Sequence, residues 1–221
     1  MFTVEPTQLP TSEGRLFPVR RIFCIGKNYA DHVVEMGGDP KKTPPVFFTK
    51  PADAASTAAK IDFPLATDDL HYEGELVVAL KGGGTHLAEA EVADLIFGYA
   101  CGCDLTRRDL QMIAKENRAP WDLAKALDQG AMIGTIAERP GQVMREGAIQ
   151  LSLNEVVKQN ANLRDMVWSI PEIIAKLSTY FELKAGDLVF TGTPSGVSSL
   201  ARGDRVCVAI ADLPPLRFSL A

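Results

Sequence analysis

No stretch of this 221-residue chain offers the roughly 18 uninterrupted apolar residues of a spanning helix, so a membrane partner is not expected. Basic runs are also missing. Arg20-Arg21 and Lys41-Lys42 are short pairs, and 23 basic residues against 28 acidic ones give a net charge of −5. A nucleic-acid partner therefore has no support. From Met1 to Pro18 no basic region is followed by an apolar one, so no signal peptide is expected, and the location expected is cytoplasmic. Cysteine is scarce. Cys101-Gly102-Cys103 is not the C-x₂-C pair of a zinc site, and Cys24 and Cys207 stand alone. All four read as small apolar core residues in a reducing compartment. Gly82-Gly83-Gly84 lacks the Gly-Lys-Ser/Thr and helix start of a phosphate loop, and reads as a turn. Internal repeats, low-complexity tracts and linkers are absent too.

What remains is an ordinary globular composition, 46% apolar and 23% charged, in a chain long enough to bury a core without staples. Short apolar runs bounded by turn residues predict strands over Arg21 to Ile25, Val46 to Thr49, Glu73 to Leu80, Ile96 to Cys103, Leu188 to Thr191, Arg205 to Ile210 and Leu216 to Leu220. Leu151-Ser152-Leu153 alternates as a strand. Helical spacing predicts helices over Tyr29 to Met36, Ala88 to Asp94, Leu105 to Lys115 with Thr106 as N-cap, and Pro171 to Phe181 with Pro171 in the first turn. Residues 1–20 read as an irregular N-terminal extension. Residues 27–45, a brief helix between glycines and prolines, suit a lid. Strands outnumber helices without β-α-β alternation, which predicts one α+β domain over residues 1–221.

The densest chemistry lies in His71-Tyr72-Glu73-Gly74-Glu75. Alternate strand residues share a face, so Glu73 and Glu75 present two carboxylates side by side. On a wet face they are unremarkable. Beside a core they repel each other and lose hydration, and they need a positive partner. A hard divalent cation suits them, because Mg²⁺, Mn²⁺ and Ca²⁺ prefer oxygen ligands. Asp104, just after another strand, would supply a third oxygen ligand. His32 and Glu35, at i and i+3 on the helix expected over Tyr29 to Met36, can meet, and a carboxylate beside an imidazole makes a general base near neutral pH.

Six motifs together resemble the fumarylacetoacetate hydrolase family: Gly26-Lys27-Asn28-Tyr29-Ala30-Asp31-His32, Phe48-Thr49-Lys50-Pro51, His71-Tyr72-Glu73-Gly74-Glu75, Asp104-Leu105-Thr106-Arg107-Arg108-Asp109-Leu110-Gln111, Pro120-Trp121 and Thr191-Gly192-Thr193-Pro194-Ser195-Gly196-Val197. They follow the family's order and span most of the chain. Phe17-Pro18-Val19-Arg20-Arg21 and Lys50-Pro51-Ala52-Asp53-Ala54 resemble its branch in gentisate-type aromatic catabolism. The resemblance implies a mixed β-sheet roll of the family's C-terminal-domain type with short peripheral helices. It also implies a homodimer and Mg²⁺ or Mn²⁺ on Glu73, Glu75 and Asp104. His32 and Glu35 fall on the catalytic dyad and Lys125 on a lysine that meets substrate oxygens. Arg108, Gln111 and Thr193 fall on substrate-contact positions, and Lys27 and Tyr29 lie on the same lid. The implied reaction is hydrolysis of a C–C bond in a 2,4-diketo acid, an acylpyruvate such as fumarylpyruvate. The alternative is decarboxylation or isomerisation of a keto acid such as oxaloacetate. Two departures stand out: Ala126-Leu127-Asp128-Gln129 replaces the family's usual aromatic-Ser-Pro after Lys125, and Leu153-Asn154-Glu155-Val156 lacks an Asn-Gly turn.

Overall fold

The computed structural model describes residues 2–3, 5–29 and 44–221. Its main sheet holds eight strands among the described residues. Across it run Val46–Lys50, Arg21–Gly26, Asp187–Phe190, Gly74–Leu80, Ile96–Asp104, Ala131–Ile133 and Ala55–Ser56, and Ala137–Glu138 also pairs with Ile96–Asp104. Parallel and antiparallel pairings mix: Asp187–Phe190 runs parallel to Arg21–Gly26 and antiparallel to Gly74–Leu80. A second sheet stacks Val156–Asn162, Ala148–Leu153, Arg205–Ile210, Leu216–Leu220 and Lys60–Ile61. This is the expected α+β roll of mixed sheets with short helices.

The strand Gly74–Leu80 shows why this sequence builds two layers. All seven residues are buried. Leu76, Val78 and Leu80 join the core that also holds Ile149, Leu151, Val206, Val208 and Ile210 of the second sheet. Val77 and Ala79 point the other way, onto Leu9, Phe17, Leu188 and Phe190. Period-two alternation thus places each side chain from Leu76 to Leu80 in one of two cores, which explains a continuous apolar run where a half-wet strand would alternate.

Several boundaries differ from the expectations. The N-terminal segment is not wholly irregular, because Gln8–Pro10 and Leu16–Pro18 pair antiparallel and bury Leu9 and Phe17. Glu73 sits just before the strand Gly74–Leu80 rather than within it. The helix expected from Leu105 starts at Arg108, after the two-residue strand Thr106–Arg107. Thr106 is therefore not its cap, since pairing with Leu70–His71 holds it extended. The last helix, Ile170–Ser178, opens with a capping box between Ser169 and Glu172 and has Pro171 in its first turn. It stops short of Phe181, where the amides of Tyr180 and Phe181 both turn back to the Leu177 carbonyl. The Asn154-Glu155 turn works without glycine because both residues adopt positive φ, 50° and 70°, as a tight hairpin turn demands. Among the described residues, no helix is long and apolar enough to cross a membrane. The helix expected over Tyr29 to Met36 lies outside the described residues apart from Tyr29, which bridges to Met166.

Candidate active site

Three carboxylates meet where two central strands end. Gly74–Leu80 and Ile96–Asp104 are antiparallel neighbours with Glu75 opposite Gly102, and the Asp104 amide donates to the Glu73 carbonyl at 2.8 Å. On Ile96–Asp104, Asp104 shares the face of Ala100, and Ala100 packs in the same core as Val77 and Ala79, which share a face with Glu75. One carboxylate oxygen from each of Glu73, Glu75 and Asp104 lies within 4.8 Å of the others.

Buried like charges at such spacing require compensation. Lys125 Nζ donates to Glu73 Oε2 at 2.7 Å, to Asp104 Oδ2 at 2.8 Å and to Thr106 Oγ1 at 2.6 Å. Arg108 Nη2 donates to Glu73 Oε1 at 2.7 Å, and its Nη1 to Gln111 Oε1 at 2.6 Å. Lys50, fully enclosed, places Nζ 2.8 Å from Asp104 Oδ1 but donates to the carbonyls of Leu105 and Lys125. Glu75 receives one hydrogen bond from a backbone amide, Gly192 N to Oε2 at 2.6 Å.

The cations favour one carboxylate over the other. Burial works to raise the Glu73 carboxyl, but the charges of Lys125 and Arg108 outweigh it and hold the group down at about 2. Burial pushes Glu75 well above the ordinary carboxylate value, and Asp104 and Glu73 add like-charge repulsion. Burial works to lower Lys125, yet Asp104 and Glu73 lift it above the ordinary lysine value. Glu75 is thus the under-compensated acid. Asp104 Oδ1 is a buried acceptor with no hydrogen bond, charge-paired with Lys50 but outside hydrogen-bond geometry. An orphaned buried oxygen beside two more carboxylates is the donor set a hard divalent cation takes.

A cleft opens over this cluster, lined among others by Lys27, Glu73, Glu75, Arg108, Gln111, Lys125 and Thr193. The structure therefore gathers seven of the eleven residues singled out in the sequence around one cavity, and Asp104 closes the carboxylate cluster beneath it. Tyr29 is not part of the lining. It is buried in the core, and burial, then the Glu75 and Asp165 charges, raise its hydroxyl above the ordinary tyrosine value. His32 and Glu35 lie outside the described residues, as does most of the 27–45 segment read as a lid. Thr193 has its hydroxyl engaged, donating to the Gly74 carbonyl at 2.8 Å and accepting from Gln159 Nε2 at 2.8 Å.

Sequence reasoning missed three residues. Lys50 appeared only inside a motif, although a lysine followed by proline at a strand end gives little hint of burial. Gln159, from the second sheet, accepts from the Gly74 amide at 2.9 Å and donates to the Pro194 carbonyl at 2.8 Å. It so ties the Glu-Gly-Glu segment to the Thr193 loop. Lys115 lines the cleft with Trp121, and its helical spacing from Arg108 and Gln111 was a readable signal.

The fold and the cluster define a mixed-sheet roll whose central strands end in a buried carboxylate triad under a cationic cleft. The family described as fumarylacetoacetate (FAA) hydrolase C-terminal matches residues 21–221, and the chain belongs to it. Fumarylpyruvate hydrolase from a Ralstonia species is 42% identical over 161 residues, covering 72% of this chain and 84% of that protein. Oxaloacetate tautomerase YcgM of Escherichia coli is 36% identical over 196 residues, covering 87% of this chain and 89% of that protein. The crystal structure of fumarylpyruvate hydrolase from Pseudomonas aeruginosa, in complex with Mn²⁺ and pyruvate, matches with a TM-score of 0.96 at 40% identity, covering 100% of this chain and 98% of that one.

Proposed function

We propose that the protein is a metal-dependent hydrolase that cleaves the C–C bond of a 2,4-diketo acid, foremost fumarylpyruvate, to pyruvate and a carboxylic acid. The observation that carries this reading is the triad of Glu73, Glu75 and Asp104 under a cleft lined by Arg108 and Lys125. The similarity to two fumarylpyruvate hydrolases, one with Mn²⁺ and pyruvate, supports it. The three acids would hold Mg²⁺ or Mn²⁺, and Ca²⁺ suits the same oxygen donors. When bound, such a dication supplies Lewis-acid polarisation of substrate oxygens.

The chain's own groups do the rest. Arg108 offers positive charge to the keto-acid end of the substrate while anchored on Glu73. Lys125 keeps Glu73 ionised, pairs with Asp104 and faces its charge into the cleft. In this reading His32, oriented by Glu35, takes a proton from water, and the hydroxide attacks the distal carbonyl. The C–C bond breaks, its electron pair passes to the pyruvate fragment as an enolate, and protonation at carbon releases pyruvate. Fixed cations beside the developing enolate charge lower its barrier. The same reading takes the protein to be a cytoplasmic homodimer.

Similarity to oxaloacetate tautomerases over most of the chain supports a second reading: decarboxylation of oxaloacetate, which leaves the same pyruvate enolate, or its keto–enol isomerisation, which passes through the enolate of oxaloacetate itself. Comparing kcat/KM of the Mn²⁺-loaded protein for fumarylpyruvate, acetylpyruvate and oxaloacetate decides between them. The hydrolase reading expects fumarate and pyruvate in equal amounts, with fumarylpyruvate the best substrate. A clear preference for oxaloacetate without acylpyruvate cleavage would replace it with the second reading.

A further inference from the structure

The helix Arg108–Glu116 sends three side chains to the cleft: Arg108, Gln111 and Lys115. Their spacing of i, i+3, i+7 makes one stripe on the helix surface. The inner two are occupied, Arg108 by Glu73 and both by each other. Lys115 is different. Its ammonium lies 5.4 Å from the centroid of the Trp121 ring, which lines the same cleft. An aromatic face steers a cation without neutralising it. Burial, then the charge of Arg108, lowers the Lys115 pKa, as expected of a positive group short of counter-charge.

The charge balance of the site agrees. Among the described residues, the ion pairs of the cluster join Lys50, Lys125 and Arg108 to Glu73 and Asp104. Lys115 lies beyond that balance, facing the same cavity. A rise of about 1.5 Å per residue sets its backbone about 10 Å along the helix axis from that of Arg108. Lys115 therefore enters the cleft two turns further along the helix than Arg108, beside Trp121 and outside the ion pairs of the carboxylate cluster.

We infer that Lys115 binds a second carboxylate at the far end of the substrate, so that the cleft selects acylpyruvates that are diacids over those ending in a methyl group. The inference rests on the acylpyruvate reading above. The separation suits a long diacid such as fumarylpyruvate. Oxaloacetate, whose two carboxylates are separated by two carbons, would end near Arg108.

The test compares the full-length Mn²⁺-loaded protein with Lys115→Met and Lys115→Arg. Loss of one charge-assisted contact predicts a KM for fumarylpyruvate raised roughly tenfold or more in Lys115→Met, with kcat and the KM for acetylpyruvate within about twofold of the parent. Lys115→Arg keeps the charge and should restore most of the difference. Calorimetric titration of fumarate, which carries the distal carboxylate, should show weaker binding to Lys115→Met and unchanged binding of pyruvate. Equal KM changes for both substrates, or an unchanged KM for fumarylpyruvate, would overturn the assignment. A parent protein that cleaves neither acylpyruvate refutes the hydrolase reading instead. The fumarate titration then still judges Lys115 by itself: binding weakened in Lys115→Met upholds the anion site, and equal binding refutes it.

Discussion

Lys50 and Asp104, both fully enclosed, stand as a charge pair with Nζ 2.8 Å from Oδ1. The same ammonium donates to the carbonyls of Leu105 and Lys125, so one buried cation fixes both the third acid and the turn that carries the cleft lysine. Lys50→Met removes the cation and leaves Asp104 with Lys125 alone. Breaking a buried pair from one side costs about 3–5 kcal/mol. Urea unfolding of metal-free protein should show a loss of that order. Saturating Mn²⁺ should restore part of it, because a ligand of the native state stabilises that state.

Gly74 separates the two glutamates, and a side chain there would crowd the second sheet. A Cβ would lie 3.0 Å from Gln159 Oε1 and 3.1 Å from Leu151 Cδ1. Gly74→Ala should therefore cost about 1–3 kcal/mol by overpacking. Because the strain falls between two members of the triad, Mn²⁺ affinity measured by calorimetry should drop as well. Unchanged affinity would mean that the Gln159 clamp does not set the carboxylate spacing.

Glu73 pairs with two of the cleft cations, Arg108 and Lys125. Glu73→Gln keeps its shape and removes its charge, and Mn²⁺ affinity should fall by at least roughly tenfold. The freed Arg108 and Lys125 add repulsion to the lost ligand, so the fall should be steeper at low salt. Titrations at two ionic strengths measure both effects.

Asp109 sets the start of the helix that carries Arg108, Gln111 and Lys115. Its carboxylate accepts from Thr67 Oγ1 at 2.8 Å, Leu110 N at 2.8 Å and Asp68 N at 3.1 Å. Burial is the largest single effect and acts to raise its pKa, but these hydrogen bonds together outweigh it and hold the pKa below the ordinary aspartate value. A depressed folded-state pKa contributes stability above the unfolded value that is lost as pH falls through the folded one. Asp109→Asn should therefore lower stability at neutral pH and show a shallower acid limb below about pH 4. Unfolding curves from pH 3 to 7 would display the convergence.

The pattern of what could be read in the sequence follows from range. Glu73, Glu75 and Asp104 were legible because a Glu-x-Glu spacing and a strand end are local facts, and both strands read as apolar runs to within one residue. The strands Arg205–Ile210 and Leu216–Leu220 emerged at their observed bounds for the same reason. Lys50 and Gln159 were not legible, since their burial depends on strands distant in sequence closing over them. Thr106 misled because a threonine before a helical pattern resembles a cap, whereas pairing with Leu70–His71 keeps it extended and Lys125 takes its hydroxyl. Lys115 was within reach of helical spacing and was overlooked because Arg108 and Gln111 already answered to a motif.

The most direct test of the central claim is pyruvate release from fumarylpyruvate by protein stripped with a chelator, before and after Mn²⁺ is returned. The account predicts negligible release from the stripped protein, recovery on adding Mn²⁺, and no recovery in Glu73→Gln at the same metal concentration. Full turnover in the stripped protein, or full recovery in Glu73→Gln, would contradict it.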